Sequence, residues 1–209
     1  MTTIARNTLS LGLIAAVCTT LVAGTWLLTR DRIAANEQAW LEQSLAPALG
    51  AMDFEGTITM SRLDIPPPHD LPGAETAIVY RVFDDGRPRA ALFTVTARDG
   101  YAGPIRLLLG VTVDGRVTGL RILQHRETPG LGDRIDQAKS DWVTQFPGHA
   151  LGDPPVEGWA LRTDGGEFDQ LSGASVTPRA VIGAVRKTLV YFDAHRDALF
   201  SAPATEDAS

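Results

Sequence analysis

The feature that most constrains the fold of this chain is an uncharged run near its beginning. Residues 8–29 carry no charged side chain, and as a helix they would extend about 33 Å, enough to cross the hydrocarbon core of a bilayer. Arg6 precedes the run and Arg30-Asp31-Arg32 closes it, and such charges are costly to bury in lipid. We therefore predict a single membrane-spanning helix, followed by a larger domain.

A cleaved signal peptide is the alternative interpretation of this segment. Val22-Ala23-Gly24 offers small residues near a processing site, but the apolar run continues beyond it through Trp26 and Leu28. That length favours a retained anchor over a signal peptide. The basic residues on the two sides of the run nearly balance, so charge alone does not give its orientation.

Cysteine, histidine and charge exclude several classes of function. Cys18 is the only cysteine and lies inside the apolar run, so the domain has no thiol for disulfides, iron–sulfur ligation or nucleophilic attack. The net charge of −6 becomes more negative once the basic anchor is set aside, which argues against nucleic acid as a partner. No metal site is expected either, since the histidines fall on unrelated elements: His69, His125, His149 and His195.

The region after the anchor predicts a connection and then an antiparallel sheet. Residues 33–45 have the apolar spacing of a helix, and residues 47–72, with three consecutive prolines, predict a loop or linker. Segments rich in Ile, Val, Phe and Thr then alternate with turn residues, which is the pattern of hairpins. The predicted strand pairs are 77–83 with 90–96 around a turn at 84–88, and 107–113 with 117–123 around Asp114-Gly115-Arg116.

Two helices are predicted after these strands. In residues 132–146, Ile135, Ala138, Trp142 and Phe146 share one helical face. A second helix is predicted from Pro178 to about Phe200, with a buried stripe at Val181, Ile182, Val185, Leu189 and Phe192. Paired strands followed by helices indicate an α+β domain. We expect four parts: tail and anchor (1–32), connection and first strand (33–89), main domain (90–200) and flexible tail (201–209).

The chemistry of the chain is concentrated just before the last helix. Pro178 suits the first helical position, which would make Thr177 the N-cap. A helix N-terminus presents unpaired N–H groups and a positive dipole end, so it suits a phosphate. The preceding small residues would let a bulky ligand approach the backbone: Ser172, Gly173, Ala174 and Ser175. From these residues alone, however, an ordinary capped helix is the simpler interpretation.

A family resemblance appears in the same stretch. Asp169, Ser172-Gly173-Ala174-Ser175 and Thr177 match D-x-x-[ST]-G-A-[ST]-x-T, which resembles the acceptor sequence of the FMN-binding domain in the G subunit of Rnf (Rsx) electron-transport complexes. A similar domain occurs in the C subunit of the sodium-pumping NADH:quinone reductase. The resemblance implies that a dedicated flavin transferase attaches FMN to the hydroxyl of Thr177 through its phosphate.

A second segment resembles the same domain. Residues 127–132 read Glu-Thr-Pro-Gly-Leu-Gly, and the resemblance implies cofactor contacts from Glu127, Thr128, Gly130 and Leu131. By itself the segment is a Pro-Gly turn, but two matching segments in the right order are more specific than either. Ser175 stands where the family commonly has Thr, and Pro178 where it commonly has Ser. Neither change removes a required group.

The resemblance implies an electron carrier. Such a chain would hold covalent FMN and pass electrons between ferredoxin and NAD through other subunits of a bacterial inner-membrane complex that translocates ions, with its domain in the periplasm. A carrier needs no catalytic constellation of its own, so the chain is expected to be part of a translocase or oxidoreductase and not an independent enzyme. The alternatives are an anchored non-redox binding or assembly module, the C subunit of the quinone reductase, and a stand-alone reductase domain.

Overall fold

The structure is a computed structural model that describes residues 11–13, 15–16, 18–20, 48–50, 52 and 56–202. The chain divides into two compact units, Met1–Gln43 and Ser44–Ser209. In the first unit, the described residues are helical. No helix among the described residues has the length and apolar character needed to cross a membrane. The predicted anchor lies largely outside those residues, and the predicted helix 33–45 lies wholly outside them.

The second unit is built on one antiparallel sheet. Five strands follow each other in chain order across it, and each pairs with the next. Both predicted hairpins are confirmed, as is the α+β class. The strands are β1 (Ile58–Ile65), β2 (Ala77–Asp84), β3 (Arg87–Ala97), β4 (Ile105–Thr112) and β5 (Val117–Gln124).

One prediction for the first half of this sheet was wrong. The expected linker 47–72 contains β1, an edge strand whose pairing with β2 outweighs the Pro and Gly signals around it. The turn predicted within 84–88 is present and is formed by Asp85 and Gly86 alone. Both have positive φ, 48° and 75°, as a two-residue hairpin with matching twist requires.

One long helix, α1 (Val176–Ser201), packs against the sheet. Every residue of its predicted stripe is buried, so the 3.6-residue periodicity correctly identified the packing face. The ring of Phe192 meets that of Phe93 on β3 edge to face, with centroids 6.1 Å apart. Near the other end, Arg81 of β2 donates hydrogen bonds to the carbonyl oxygens of Leu199, at 3.0 Å, and Ala202. The helix is therefore held to the sheet both along its length and at its C-terminal end.

The predicted helix 132–146 was also wrong. Two short 3-10 helices, Gly132–Ile135 and Asp141–Gln145, replace it. Between them Asp136 is extended and its carboxylate accepts from the N–H of Ala138 at 3.0 Å, while the hydroxyl of Ser140 accepts from Trp142 N–H at 3.2 Å. Short polar side chains of this kind compete with the helical backbone bonds. Ala138 is exposed, whereas the other three residues of the predicted face are buried.

Candidate functional site

Thr177 lies inside the first turn of α1 and not at its N-cap, so that prediction was wrong. The N-cap is Ser175, which makes no side-chain capping bond, and the helix begins at Val176. Pro178 is therefore the third helical residue. Proline is tolerated anywhere in the first turn because the N–H it lacks has no intrahelical acceptor there. The N–H groups of Val176 and Thr177 have no helical partner for the same reason.

A pocket of about 380 Å³ opens at this helix N-terminus, within the size range of small-molecule sites. Its walls combine the two motif segments, which are about fifty residues apart in the chain. The lining residues are Tyr101, Glu127, Thr128, Leu131, Gly132, Gly173, Ala174, Ser175, Val176 and Thr177. Most of the residues proposed from the resemblance, Thr177 among them, are thus brought together around one cavity.

Thr177 and Glu127 are joined directly. The hydroxyl of Thr177 donates a hydrogen bond to Oε2 of Glu127 at 2.5 Å, while Oε1 of Glu127 accepts from the N–H of Ala102 at 3.1 Å. Thr177 has no exposed surface and Glu127 is 4% exposed. A buried carboxylate is costly without donors, so the hydroxyl, the amide and the positive end of α1 all contribute to holding it.

Two glycines shape the pocket wall. A Cβ atom at Gly132 would lie 2.7 Å from Oε2 of Glu127 and 2.8 Å from Oγ1 of Thr177, so only glycine fits beside this pair. Gly173 has φ +80°, and a Cβ there would lie 3.0 Å from the side chain of Leu131. Glycine is needed at both positions for different reasons, close approach at the first and a left-handed backbone at the second.

Three residues of the predicted site do not line the pocket: Asp169, Ser172 and Gly130. Asp169 is exposed, and its carboxylate lies 3.2 Å from Arg162. Its backbone is fixed instead, because its carbonyl accepts from Trp142 Nε1 at 2.6 Å and its N–H donates to Gln145 Oε1 at 2.8 Å. Asp169 therefore anchors the start of the motif loop from outside the pocket.

Three lining residues were not named as contacts in the sequence analysis: Tyr101, Gly132 and Val176. Tyr101 follows the end of β3 and is 72% exposed. It comes next to Gly100, where a Cβ would lie 2.9 Å from Oε1 of Glu127. No motif in the chain marks it. An aromatic residue beside a glycine in a connection between two strands is the one signal that the sequence offered.

A larger cavity of about 740 Å³ adjoins this pocket and shares Val176 with it. Arg98, Arg179 and Lys187 contribute to its lining, against one acidic residue, Asp99, so the cavity is more basic than acidic. It contains no residue of the Glu127 segment and no hydroxyl of the motif loop. The smaller pocket is the candidate site because the reactive hydroxyl and both motif segments meet there.

An ion pair links the first turn of α1, near the site, to Asp164. Arg179 Nε lies 2.6 Å from Oδ2 of Asp164, and a second bond of 2.8 Å makes the pair bidentate. The hydrogen bond from Arg179 lowers the pKa of Asp164; desolvation opposes this, and the positive charge of Arg179 adds to it. Both side chains are partly exposed, so the contribution to stability is screened by salt.

Comparison with known proteins identifies the family. Residues 100–190 match the family model described as the FMN-binding domain, and residues 1–47 match the RnfG N-terminal region. The G subunit of the ion-translocating oxidoreductase complex of Pseudomonas aeruginosa is 44% identical over 198 residues, 94% of this chain and 92% of that protein. The chain belongs to this family of G subunits.

The G subunits of other bacteria support the same assignment. Those of Vibrio vulnificus and Pseudoalteromonas atlantica are 39% and 37% identical, each covering at least 95% of this chain and at least 93% of the relative. The match to the FMN-binding domain contains the whole pocket, from Tyr101 to Thr177. Family membership and the geometry therefore point to the same region of the chain.

Proposed function

We propose that Thr177 carries FMN through a phosphodiester bond and that the chain is an electron carrier of an Rnf-type complex. The observation that supports this most is the pocket in which the hydroxyl of Thr177 meets the Glu127 segment. When bound, FMN supplies the redox chemistry, which none of the protein's side chains in the pocket provides.

The residues present fit such a group. Val176 and Thr177 line the pocket and begin α1, so their N–H groups and the helix dipole favour a phosphate next to the hydroxyl. Gly173, Ala174 and Ser175 leave room for a bulky substituent, and Leu131 and Tyr101 offer partly or largely exposed apolar surface at the rim. We propose these residues, with Glu127 and Thr128, as those that hold the cofactor.

Attachment requires the pocket to open locally. Thr177 has no exposed surface, so a phosphorus atom reaches its oxygen only after neighbouring groups move. The segment 128–132 is the natural candidate to move, because it lies across the hydroxyl from α1 and Leu131 within it is 42% exposed. A transferase would thus act on an opened form of the domain or before the domain is fully packed.

The wider role follows from the family. We propose that the electrons pass between ferredoxin and NAD by way of the complex's other subunits, coupled to ion translocation, and that a flavin transferase matures the chain. Residues 8–29 would anchor it in the bacterial inner membrane with the domain in the periplasm. Protease protection in spheroplasts tests that orientation: the domain should be cleaved from outside and protected in inverted vesicles.

Intact mass tests the attachment. The full chain is co-expressed with a flavin transferase in membranes, and the expected gain is about 438 Da, FMN minus water. Thr177→Ala should show no gain, while Thr163→Ala, which removes an exposed threonine hydroxyl outside the pocket, should still be modified. An unmodified wild-type chain under these conditions would contradict the proposal and favour a non-redox assembly module. Copurification of the complex's other subunits separates an Rnf-type carrier from a stand-alone reductase domain.

A further inference from the structure

The contact between Thr177 and Glu127 has a chemical use that packing alone does not require. A threonine hydroxyl is a weak nucleophile unless a base accepts its proton as it attacks. Oε2 of Glu127 already lies 2.5 Å from Oγ1 of Thr177, within the distance at which a general base acts. The hydroxyl proton is directed at this carboxylate, because the hydroxyl is the donor.

The surroundings leave Glu127 free for that task. Among the hydrogen bonds of the described residues, its carboxylate receives only the hydroxyl and the N–H of Ala102, and no Arg or Lys is paired with it. Both donors are neutral groups, so no cation competes with the hydroxyl for this carboxylate. Its main chain is fixed as well, since its N–H donates to His125 Nδ1 at 3.1 Å.

We propose that Glu127 is the general base for flavin attachment, so that the acceptor domain supplies a catalytic group to its own modification. This inference rests on the proposed attachment at Thr177. Thr177 Oγ1 forms a bond to the flavin-side phosphorus of a flavin adenine dinucleotide, and the bond from that phosphorus to the oxygen bridging to the adenylate phosphorus breaks. AMP leaves with the electron pair, and Glu127 receives the hydroxyl proton. Charge and atoms balance without another reactant.

The same step resolves an electrostatic conflict in the product. A phosphodiester at Thr177 carries a negative charge, and an ionised Glu127 beside it would place two anions together in a buried site. Once Glu127 has accepted the proton it is neutral, and its carboxylic O–H can donate to an ester oxygen. The proton acceptor of the reaction thereby becomes a hydrogen-bond donor to its product.

The first test measures the rate of mass gain on the full-length membrane protein, with flavin transferase, Mg²⁺ and flavin adenine dinucleotide. Glu127→Gln keeps the size and an acceptor oxygen but cannot take up a proton, so attachment should slow by about 10²-fold or more. Glu157→Gln is the matched control, because Glu157 is exposed and does not line the pocket. Circular dichroism and thermal unfolding establish that both variants fold.

The outcomes separate this inference from the proposed function. A wild-type chain that gains no mass refutes the attachment itself. If the wild type and Glu127→Gln are modified at equal rates, attachment stands and the role of Glu127 is refuted. The role of Glu127 as general base is supported if wild type and Glu157→Gln are modified rapidly while a folded Glu127→Gln is modified slowly.

A second measurement needs no variant and covers the case in which Glu127→Gln does not fold. The infrared difference spectrum of flavinylated minus unmodified wild type at neutral pH should contain a carboxylic-acid carbonyl band that shifts with ¹³C-labelled glutamate. The other glutamates of the described residues, Glu75, Glu157 and Glu167, are exposed and do not line the pocket, so attachment of the flavin leaves their surroundings unchanged. The absence of a glutamate-sensitive acid band would overturn the proposal.

Discussion

A Cβ atom at Gly132 would lie 2.8 Å from the hydroxyl oxygen of Thr177, closer than side-chain carbons normally approach. It would also meet Glu127, so Gly132→Ala pushes on both members of the pair at once. We expect a loss of about 1–3 kcal/mol in the free energy of unfolding, together with reduced flavin attachment. Urea unfolding and intact mass measure the two effects.

Gly183→Ala is the control for this prediction. Gly183 lies in α1, and no heavy atom approaches its Cβ position within 4 Å, so alanine should stabilise the helix by about 0.5–1 kcal/mol. Attachment should be unaffected. If both variants destabilise equally, close approach to Thr177 is not what requires glycine at position 132.

A second prediction concerns the support of the motif loop. Trp142→Phe keeps an aromatic ring but removes the indole donor to the carbonyl of Asp169. We expect a loss of about 1–3 kcal/mol in the free energy of unfolding, because a carbonyl is left without its partner. Amide hydrogen exchange should rise in the loop 169–175 more than in α1. Unchanged exchange in that loop would show that Trp142 does not hold it.

Arg81 gives a third prediction. Arg81 is 2% exposed, and its guanidinium donates to the carbonyl groups of Leu199 and Ala202 at the C-terminal end of α1 and to Ser61 of β1. Arg81→Met fills similar volume but leaves these acceptors unpaired, which we expect to cost about 2–4 kcal/mol of the free energy of unfolding. Lys187→Ala, which removes an exposed cation on the same helix, should change it by less than about 0.5 kcal/mol. Chemical denaturation compares them.

The ion pair of Asp164 and Arg179 predicts a pH dependence. Since the pKa of Asp164 is lower in the folded chain than in the unfolded one, the ionised carboxylate stabilises the fold above its unfolded pKa, about 3.9. That stabilisation is lost as the pH falls through the folded pKa. The difference in melting temperature between wild type and Asp164→Asn should therefore shrink below about pH 4. It should also shrink in about 1 M salt at neutral pH, and a difference that persisted under both conditions would exclude the ion pair as its cause.

The hairpins and the buried stripe of α1 could be predicted because their signals are local. Asp114-Gly115 marks a turn by its backbone preference, and Val181 to Phe192 mark a face by spacing. Strand β1 could not, because half-exposed Ile58 and Met60 carry little pattern and the strand depends on pairing with β2. The sequence also did not predict that the helix expected over 132–146 is interrupted at Asp136 and Ser140. The side chains of these two residues bond to nearby backbone N–H groups, and those bonds override the apolar periodicity.

The residues of the site divide in the same way. Thr177 and the Glu127 segment were recognised as motifs. A sequence motif, however, does not give the distance in space between the two segments. That Glu127 contacts Thr177, and that Asp169 faces away while Trp142 fixes its backbone, depends on how residues 125–175 fold over the sheet. Tyr101 belongs to no motif and entered the site through the β3–β4 connection alone.

The position of Thr177 within α1 has a mechanical consequence. The residue is part of a 26-residue helix that is packed on the sheet through Phe192 and tied down near its far end by Arg81, so its backbone cannot swing independently of the domain. A group bonded to it would behave as a stationary relay, unlike the mobile arms that carry lipoyl or biotinyl groups between active sites. Any change in the distance to a redox partner would then have to come from displacement of the whole domain.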